Sequence, residues 1–212
     1  MITTKQFLGA AAFGLATFTA STAIAQVDSD SVSAGLIGKR YAGADFVFKD
    51  FRDIDDNGYG GALVFNQPVS NVVDLTGSYS YTQVDAKLID LKQSALEIGA
   101  IYYSELEGYK PFLAASLGYG WDKWEFPAPL AADNDEGAFY SIGIGAEVPL
   151  TDKTAATGTV SYRDGFDSGD EDSLGLEVGI NHWFTEALAF KASVYIVEDD
   201  SVSLRIGARF AF

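Results

Sequence analysis

One segment of this chain has the residue types and spacing to hold a hard cation. Asp53-Ile54-Asp55-Asp56-Asn57-Gly58 reads D-x-D-x-N-G. Oxygen ligands on alternate residues, here Asp53, Asp55 and Asn57, can converge on one calcium ion where a glycine permits the sharp turn. The bidentate glutamate expected six residues after Gly58 is missing, because Val64 stands there. Asp-Asn-Gly is also ordinary hairpin chemistry, so a solvated acidic loop is the default and weakly bound calcium the alternative. No other cofactor is expected. The single histidine, His182, stands beside Trp183, and no serine–histidine–acid geometry can be read around it. Phosphate-cradling glycine loops and His/Cys metal spacings are missing as well. A non-enzymatic protein is the expectation.

The elements that would position any site are strands. Residues 201–212 read S-V-S-L-R-I-G-A-R-F-A-F. Val202, Leu204, Ile206, Ala208, Phe210 and Phe212 fall on one face, and Ser203, Arg205, Gly207 and Arg209 on the other. Unbroken period-2 alternation is a strand signal, and the length suits a tilted strand crossing a bilayer, which needs about 9–11 residues. At the other end, residues 1–25 carry one cation (Lys5), an apolar stretch from Phe7 to Phe18, and Ala23-Ile24-Ala25 before Gln26. That is the pattern of a secretory signal peptide cleaved after Ala25. Removing those 25 residues from 212 leaves 187, one domain over 26–212.

Composition narrows the class. Formal charge is −16, or −17 without Lys5. No basic stripe exists to neutralise phosphates, so nucleic acid is excluded as a partner. A hydrophobic fraction of 48% and an aromatic fraction of 14% argue against disorder. With no cysteine, an exported chain must rely on backbone pairing and burial. No segment after residue 25 approaches 18 consecutive apolar residues, so no spanning helix is expected.

Alternating segments recur near 39–49, 58–67, 72–83, 94–104, 111–123, 138–149, 155–163, 173–184, 188–197 and 201–212. The spacing predicts an all-β, antiparallel up-and-down barrel of about ten strands. Connections alternate in character. Those at 67–71, 105–110, 150–153 and 184–187 are short; those at 50–57, 85–93, 124–137, 164–172 and 198–200 are mostly longer and acidic. Short turns on one rim and longer loops on the other fit a transmembrane barrel with both chain ends on the short-turn side.

Alternation alone does not say which face is inside, but the quality of the faces does. Leu113, Leu117, Tyr119 and Trp121 oppose Ala114, Ser116, Gly118 and Gly120; Tyr140, Ile142, Ile144 and Val148 oppose Ser141, Gly143, Gly145 and Glu147. Glycines and small residues suit the crowded lumen of a narrow barrel and make a poor water-facing surface. Aromatics gather toward strand ends, with Tyr79, Tyr81, Tyr119, Trp121 and Tyr162 near the longer loops and Phe65, Tyr102, Phe184 and Phe212 near the turns. Two interfacial girdles are predicted, and an apolar face toward lipid.

Tyr109-Lys110-Pro111-Phe112, followed by Leu117-Gly118-Tyr119-Gly120-Trp121, resembles the "Y-x-P-F/Y … G-x-G-Y" hairpin of the small outer-membrane barrel superfamily, which includes OmpA-like and opacity-protein-like porin-family barrels. Tyr41-Ala42-Gly43-Ala44-Asp45-Phe46 is similar to the first strand of that group. Arg205, Gly207, Phe210 and Phe212 resemble its C-terminal targeting strand. The resemblance implies the bacterial outer membrane, chain ends in the periplasm, lipid or lipopolysaccharide around the barrel, and the barrel-assembly machinery as a partner. It also implies a monomer. The family norm is eight strands, against ten counted here. No peptidoglycan-binding domain is expected after the barrel, so that role of larger OmpA-like proteins is not expected here.

In this register Asp45, Asp74, Glu97, Asp122, Glu147 and Glu177 point into the lumen, with Lys39, Lys191, Arg205 and Arg209. Two roles compete for them. An ion-pair network would plug a narrow barrel, since unpaired charge there is costly. Alternatively, acids in excess would line a narrow cation-preferring channel. The expected function is envelope-structural and loop-presenting with a largely plugged lumen; the alternatives are that channel, and an adhesin or receptor acting through acidic outer loops.

Overall fold

The computed structural model describes residues 34–51, 56–86, 89–125, 133–166, 172–198 and 201–212. Ten strands follow one another: β1 (Tyr41–Phe51), β2 (Asp56–Ser70), β3 (Val73–Ala86), β4 (Ile89–Tyr103), β5 (Lys110–Glu125), β6 (Asp133–Thr151), β7 (Thr154–Gly165), β8 (Ser173–Trp183), β9 (Leu188–Val197) and β10 (Ser201–Ala211). Each pairs antiparallel with its sequence neighbours, and β1 pairs with β10 to close the barrel. The strand number is therefore ten and not the eight of the family norm. Closure leaves no sheet edge, so every strand finds ladder partners on both sides.

The faces are inside out by the standard of a water-soluble protein. In β10, Ser203, Arg205 and Arg209 are buried while Leu204, Ile206 and Phe210 are exposed. The same holds around the barrel: Leu113, Leu117, Ile142, Ile144, Val178 and Ile180 all lie on the outer surface. A continuous apolar belt of this extent is not tolerated in water, whereas the hydrocarbon core of a bilayer requires it. Aromatic contacts mark the rims. Tyr140 packs on Tyr162 and Phe166 toward the longer loops, and Phe65 packs on Phe212 toward the turns.

Turns and strand ends differ from expectation in one respect. The short connections fall as expected, and Gly108 takes the left-handed conformation in its turn (φ 85°). On the other rim, β4 begins at Ile89 and β6 at Asp133, inside segments whose composition suggested loops. Asp133 pairs with Trp124, and Asp135 with Asp122. On this rim Phe51, Val84 and Leu91 are buried together with Trp124 against them, and the ladder continues into segments whose acidic composition suggested loops.

Inside the barrel, glycines stand opposite large inward side chains. A Cβ on Gly118 would overlap the Phe139 ring, and one on Gly145 would overlap Phe112. These pairs are direct cross-strand neighbours. The small lumen residues are thus the complement of inward aromatics.

Candidate functional site

The site is the lumen. Asp45 (β1), Asp74 (β3), Glu97 (β4), Asp122 (β5), Glu147 (β6), Glu177 (β8), Lys191 (β9), and Arg205 and Arg209 (β10) all occupy inward positions of their strands. Further cations share it, Lys110 at the mouth among them. Lys49 is 2% exposed and Arg163 is 4% exposed. Both lie on the same strand parity as neighbouring lumen residues, Lys49 with Asp45 and Arg163 with Ser161. The alternation therefore contained the signal for them.

The first and last strands are joined by a bidentate pair. Arg209 Nη1 donates to Asp45 Oδ1 at 2.6 Å and Nη2 to Oδ2 at 2.9 Å. Asp45 faces Gly207 across the ladder, and Arg209 faces Gly43. A Cβ on Gly207 would overlap the Asp45 carboxylate, and one on Gly43 would lie 2.6 Å from Arg209 Cδ. Each glycine vacates the volume that its partner's charged side chain fills. Fork-to-carboxylate geometry of this kind is the strong form of an ion pair.

Other contacts cross the lumen. Glu97 on β4 and Arg163 on β7 are three strands apart, yet Arg163 Nη2 lies 3.1 Å from Glu97 Oε2. The Ser116 hydroxyl donates to Glu97 Oε1 at 2.5 Å and lies 2.6 Å from the Ser141 hydroxyl. Arg163 also stacks over Phe139, 3.8 Å from its ring centre. Lys49 of β1 reaches Gln93 of β4 at 3.4 Å, and Gln93 Nε2 donates to Asp122 Oδ2 at 2.9 Å. Lys191 and Glu177 pair at 2.8 Å between adjacent strands. Arg205 lies over the Tyr195 ring at 5.8 Å. A cavity of about 30 Å³ remains among Thr76, Glu97, Ser116, Ser141, Glu177 and Tyr195, room for about two waters.

Asp74 and Glu147 depart from the ion-pair expectation. Their hydrogen-bond partners include backbone amides of the segment that precedes β1. Leu36 N donates to Glu147 Oε2 at 2.7 Å, Ile37 N to the same oxygen at 3.5 Å, and Gly38 N to Asp74 Oδ2 at 2.8 Å. Asn66 Nδ2 bridges Asp74 Oδ2 and the Lys39 carbonyl, at 2.7 and 2.8 Å. Residues 34–38 therefore lie inside the mouth at the short-turn end. Lys39, just outside β1, places its ammonium 4.2 Å from the Trp183 ring centre. Burial first, and then Lys110 beside it, lower its pKa from the ordinary lysine value, while Glu147 opposes them.

The remaining candidates are dispersed. Asp53 and Asp55 lie outside the described residues, as do Ala23, Ala25 and Gln26 of the expected cleavage site; Asn57 is paired with Asp50 in the β1–β2 ladder. No group of three or more potential metal ligands occurs among the described residues. His182 is on the outer face, with Nδ1 2.9 Å from the Thr154 hydroxyl.

No protein-family model matches the sequence, and no curated protein matches it. Solved structures do match in shape. The translocator domain of autotransporter NalP from Neisseria meningitidis aligns at a TM-score of 0.51 and 10% identity, covering 87% of this chain and 92% of that one. The beta domain of the Bordetella autotransporter Brka aligns at 0.50 and 11% identity, covering 82% and 99%. The N-terminal beta-barrel domain of Pseudomonas aeruginosa OprF aligns more loosely, at 0.41 and 15% identity over 82% and 98%. At these identities a shared fold is the whole content of the likeness, and that fold is a closed antiparallel β-barrel.

Proposed function

We propose that this chain is a non-enzymatic, monomeric barrel of the bacterial outer membrane, exported by its first 25 residues. Its lumen is closed, it contributes to envelope integrity, and it presents acidic loops at the cell surface. The observation that carries this reading is the Glu97–Arg163 pair, which runs across the lumen between strands that do not touch. A pore would keep its charges on the wall; here a guanidinium and a carboxylate meet across the middle, with Lys49, Gln93 and Asp122 forming a second crossing. Acids and bases in the described lumen nearly balance, which supports pairing over selectivity.

Conductance of the refolded protein in a planar lipid bilayer tests the reading, with folding established by a heat-dependent gel shift. A silent bilayer is the expected result. Discrete cation-selective steps that shrink in Glu177→Gln would overturn closure and establish a narrow channel.

A further inference from the structure

We propose that the short-turn mouth of the barrel is a peptide-recognition site, and that Ala34–Gly38 is its tethered resident ligand. The contacts have the form of backbone recognition. Glu147 accepts from the amides of Leu36 and Ile37, and Asp74 from that of Gly38. The carbonyls have donors of their own. Asn181 Nδ2 and Trp183 Nε1 donate to Ala34 O at 2.6 and 3.0 Å, Trp183 Nε1 also to Gly35 O at 3.3 Å, and Lys110 Nζ to Ile37 O at 3.4 Å. These groups come from β3, β5, β6 and β8, so the barrel wall is what reads the segment.

The side-chain subsites are equally defined. Leu36 enters a cluster with Tyr41, Val64, Trp183 and Ala189, and Ile37 one with Ile101, Tyr103 and Phe112. Gly35 lies against the Glu147 carboxylate, where a Cβ would overlap it. Gly38 takes φ 84°, and a Cβ there would sit 2.9 Å from the Tyr103 hydroxyl. The site therefore selects a Gly-aliphatic-aliphatic-Gly backbone bent into a turn, closed by the Lys39 amide donating to the Leu36 carbonyl at 3.2 Å. The second oxygens of these two carboxylates, Glu147 Oε1 and Asp74 Oδ1, have no hydrogen-bond partner, and Glu147 Oε1 lies against Gly35. Lys110 lies near both carboxylates and Lys39 near Glu147, yet the hydrogen bonds of Glu147 go to amides of this segment rather than to an ammonium. A free peptide of the same pattern that takes up this turn presents the same amides.

The inference rests on the short-turn end being the mouth of a barrel, and its test is separate from conductance. A fluorescent peptide with the sequence of residues 34–40 is titrated against the full-length refolded barrel, read by anisotropy. Wild type is expected to bind it weakly, because a tethered ligand competes at an effective concentration on the order of mM. Gly35→Leu should evict the resident segment and raise affinity for the free peptide at least tenfold. Glu147→Ala added to Gly35→Leu should abolish that gain, and a peptide carrying the same leucine should not bind. Eviction is checked independently. The protein has no cysteine, so Ala34→Cys provides a unique thiol, slow to react with a maleimide when seated and at least tenfold faster in the presence of Gly35→Leu. Retained protection of that thiol, no peptide binding by a folded Gly35→Leu barrel, or binding indifferent to Glu147→Ala would each overturn the proposal. A conducting wild-type barrel would undo closure while leaving peptide binding measurable.

Discussion

The β1–β10 seam and the short-turn mouth use buried carboxylates in opposite ways. At the seam Asp45 meets a guanidinium in a two-point fork, and glycines on both strands are spent making room for it. At the mouth Asp74 and Glu147 meet neutral amides of a segment that belongs to no strand. Both arrangements compensate a desolvated charge, but they differ in what happens when a partner is lost. A strand cannot leave the barrel, so a broken seam pair leaves a charge stranded. A segment outside the ladder can leave, and then water replaces it. The seam is a structural joint; the mouth is a reversible contact.

The largest expected effect follows from the seam. Asp45→Ala strands Arg209 in the wall and should cost about 3–5 kcal/mol, read as a lower urea midpoint in detergent. Asp45→Ala combined with Arg209→Met should recover most of the loss. Gly207→Ala should also destabilise with both charges intact, because its Cβ would overlap both the Asp45 carboxylate and the Ala44 carbonyl oxygen. Equal stability of Asp45→Ala and wild type would mean that the seam is held by backbone pairing alone.

A second effect concerns the outer wall and calibrates the first. Val178 is 56% exposed midway along β8. Val178→Lys should cost about 2–4 kcal/mol in lipid bilayers if this face meets hydrocarbon near the midplane. An unchanged stability would place that face in water and remove the basis for a membrane barrel.

The mouth should respond less than the seam. Glu147→Ala removes the acceptor of the Leu36 and Ile37 amides and should cost about 1–3 kcal/mol, the scale of a lost buried hydrogen-bond partner. The loss is expected to appear as faster hydrogen exchange confined to residues 34–38, with the ladder amides unchanged. A global loss matching that of Asp45→Ala would erase the distinction between joint and contact.

Much of the seam was legible in the sequence, and little of the mouth was. Strand parity in β1 and β10 puts Asp45, Arg205 and Arg209 on one face, and antiparallel closure brings those strands together. Residues 34–38 carry no period, and Glu147 is 111 residues from Leu36 in the chain. Nothing local in Ala-Gly-Leu-Ile-Gly says that a segment ahead of the first strand turns into the lumen. The crossing of Glu97 to Arg163 was hidden for a related reason, because alternation reports direction into the lumen but not reach across it. The early starts of β4 and β6 were hidden by composition, because acidic residues crowd both segments while the inward packing of Leu91 on Phe51 and Val84 joins residues far apart in the chain.

The smallest effect tests whether a salt bridge matters merely by being present. Lys110 Nζ lies 2.7 Å from Glu105 Oε1, a shorter distance than several of the lumen contacts. Glu105, however, is 67% exposed in the turn between β4 and β5, while Lys110 is 14% exposed. Water already solvates the carboxylate, so pairing gains little and holding a long side chain in place costs entropy. Glu105→Gln should therefore change stability by less than about 1 kcal/mol. The same substitution should slightly loosen residues 34–38, because Lys110 also donates to the Ile37 carbonyl and loses the carboxylate that helps hold it there. Ala34→Cys reactivity in the Glu105→Gln background reads this directly. A modest rise, well below that caused by Glu147→Ala, would show that the mouth is tuned from its rim; a loss of stability rivalling Asp45→Ala would mean that burial does not separate the strong ion pairs from the weak ones in this barrel.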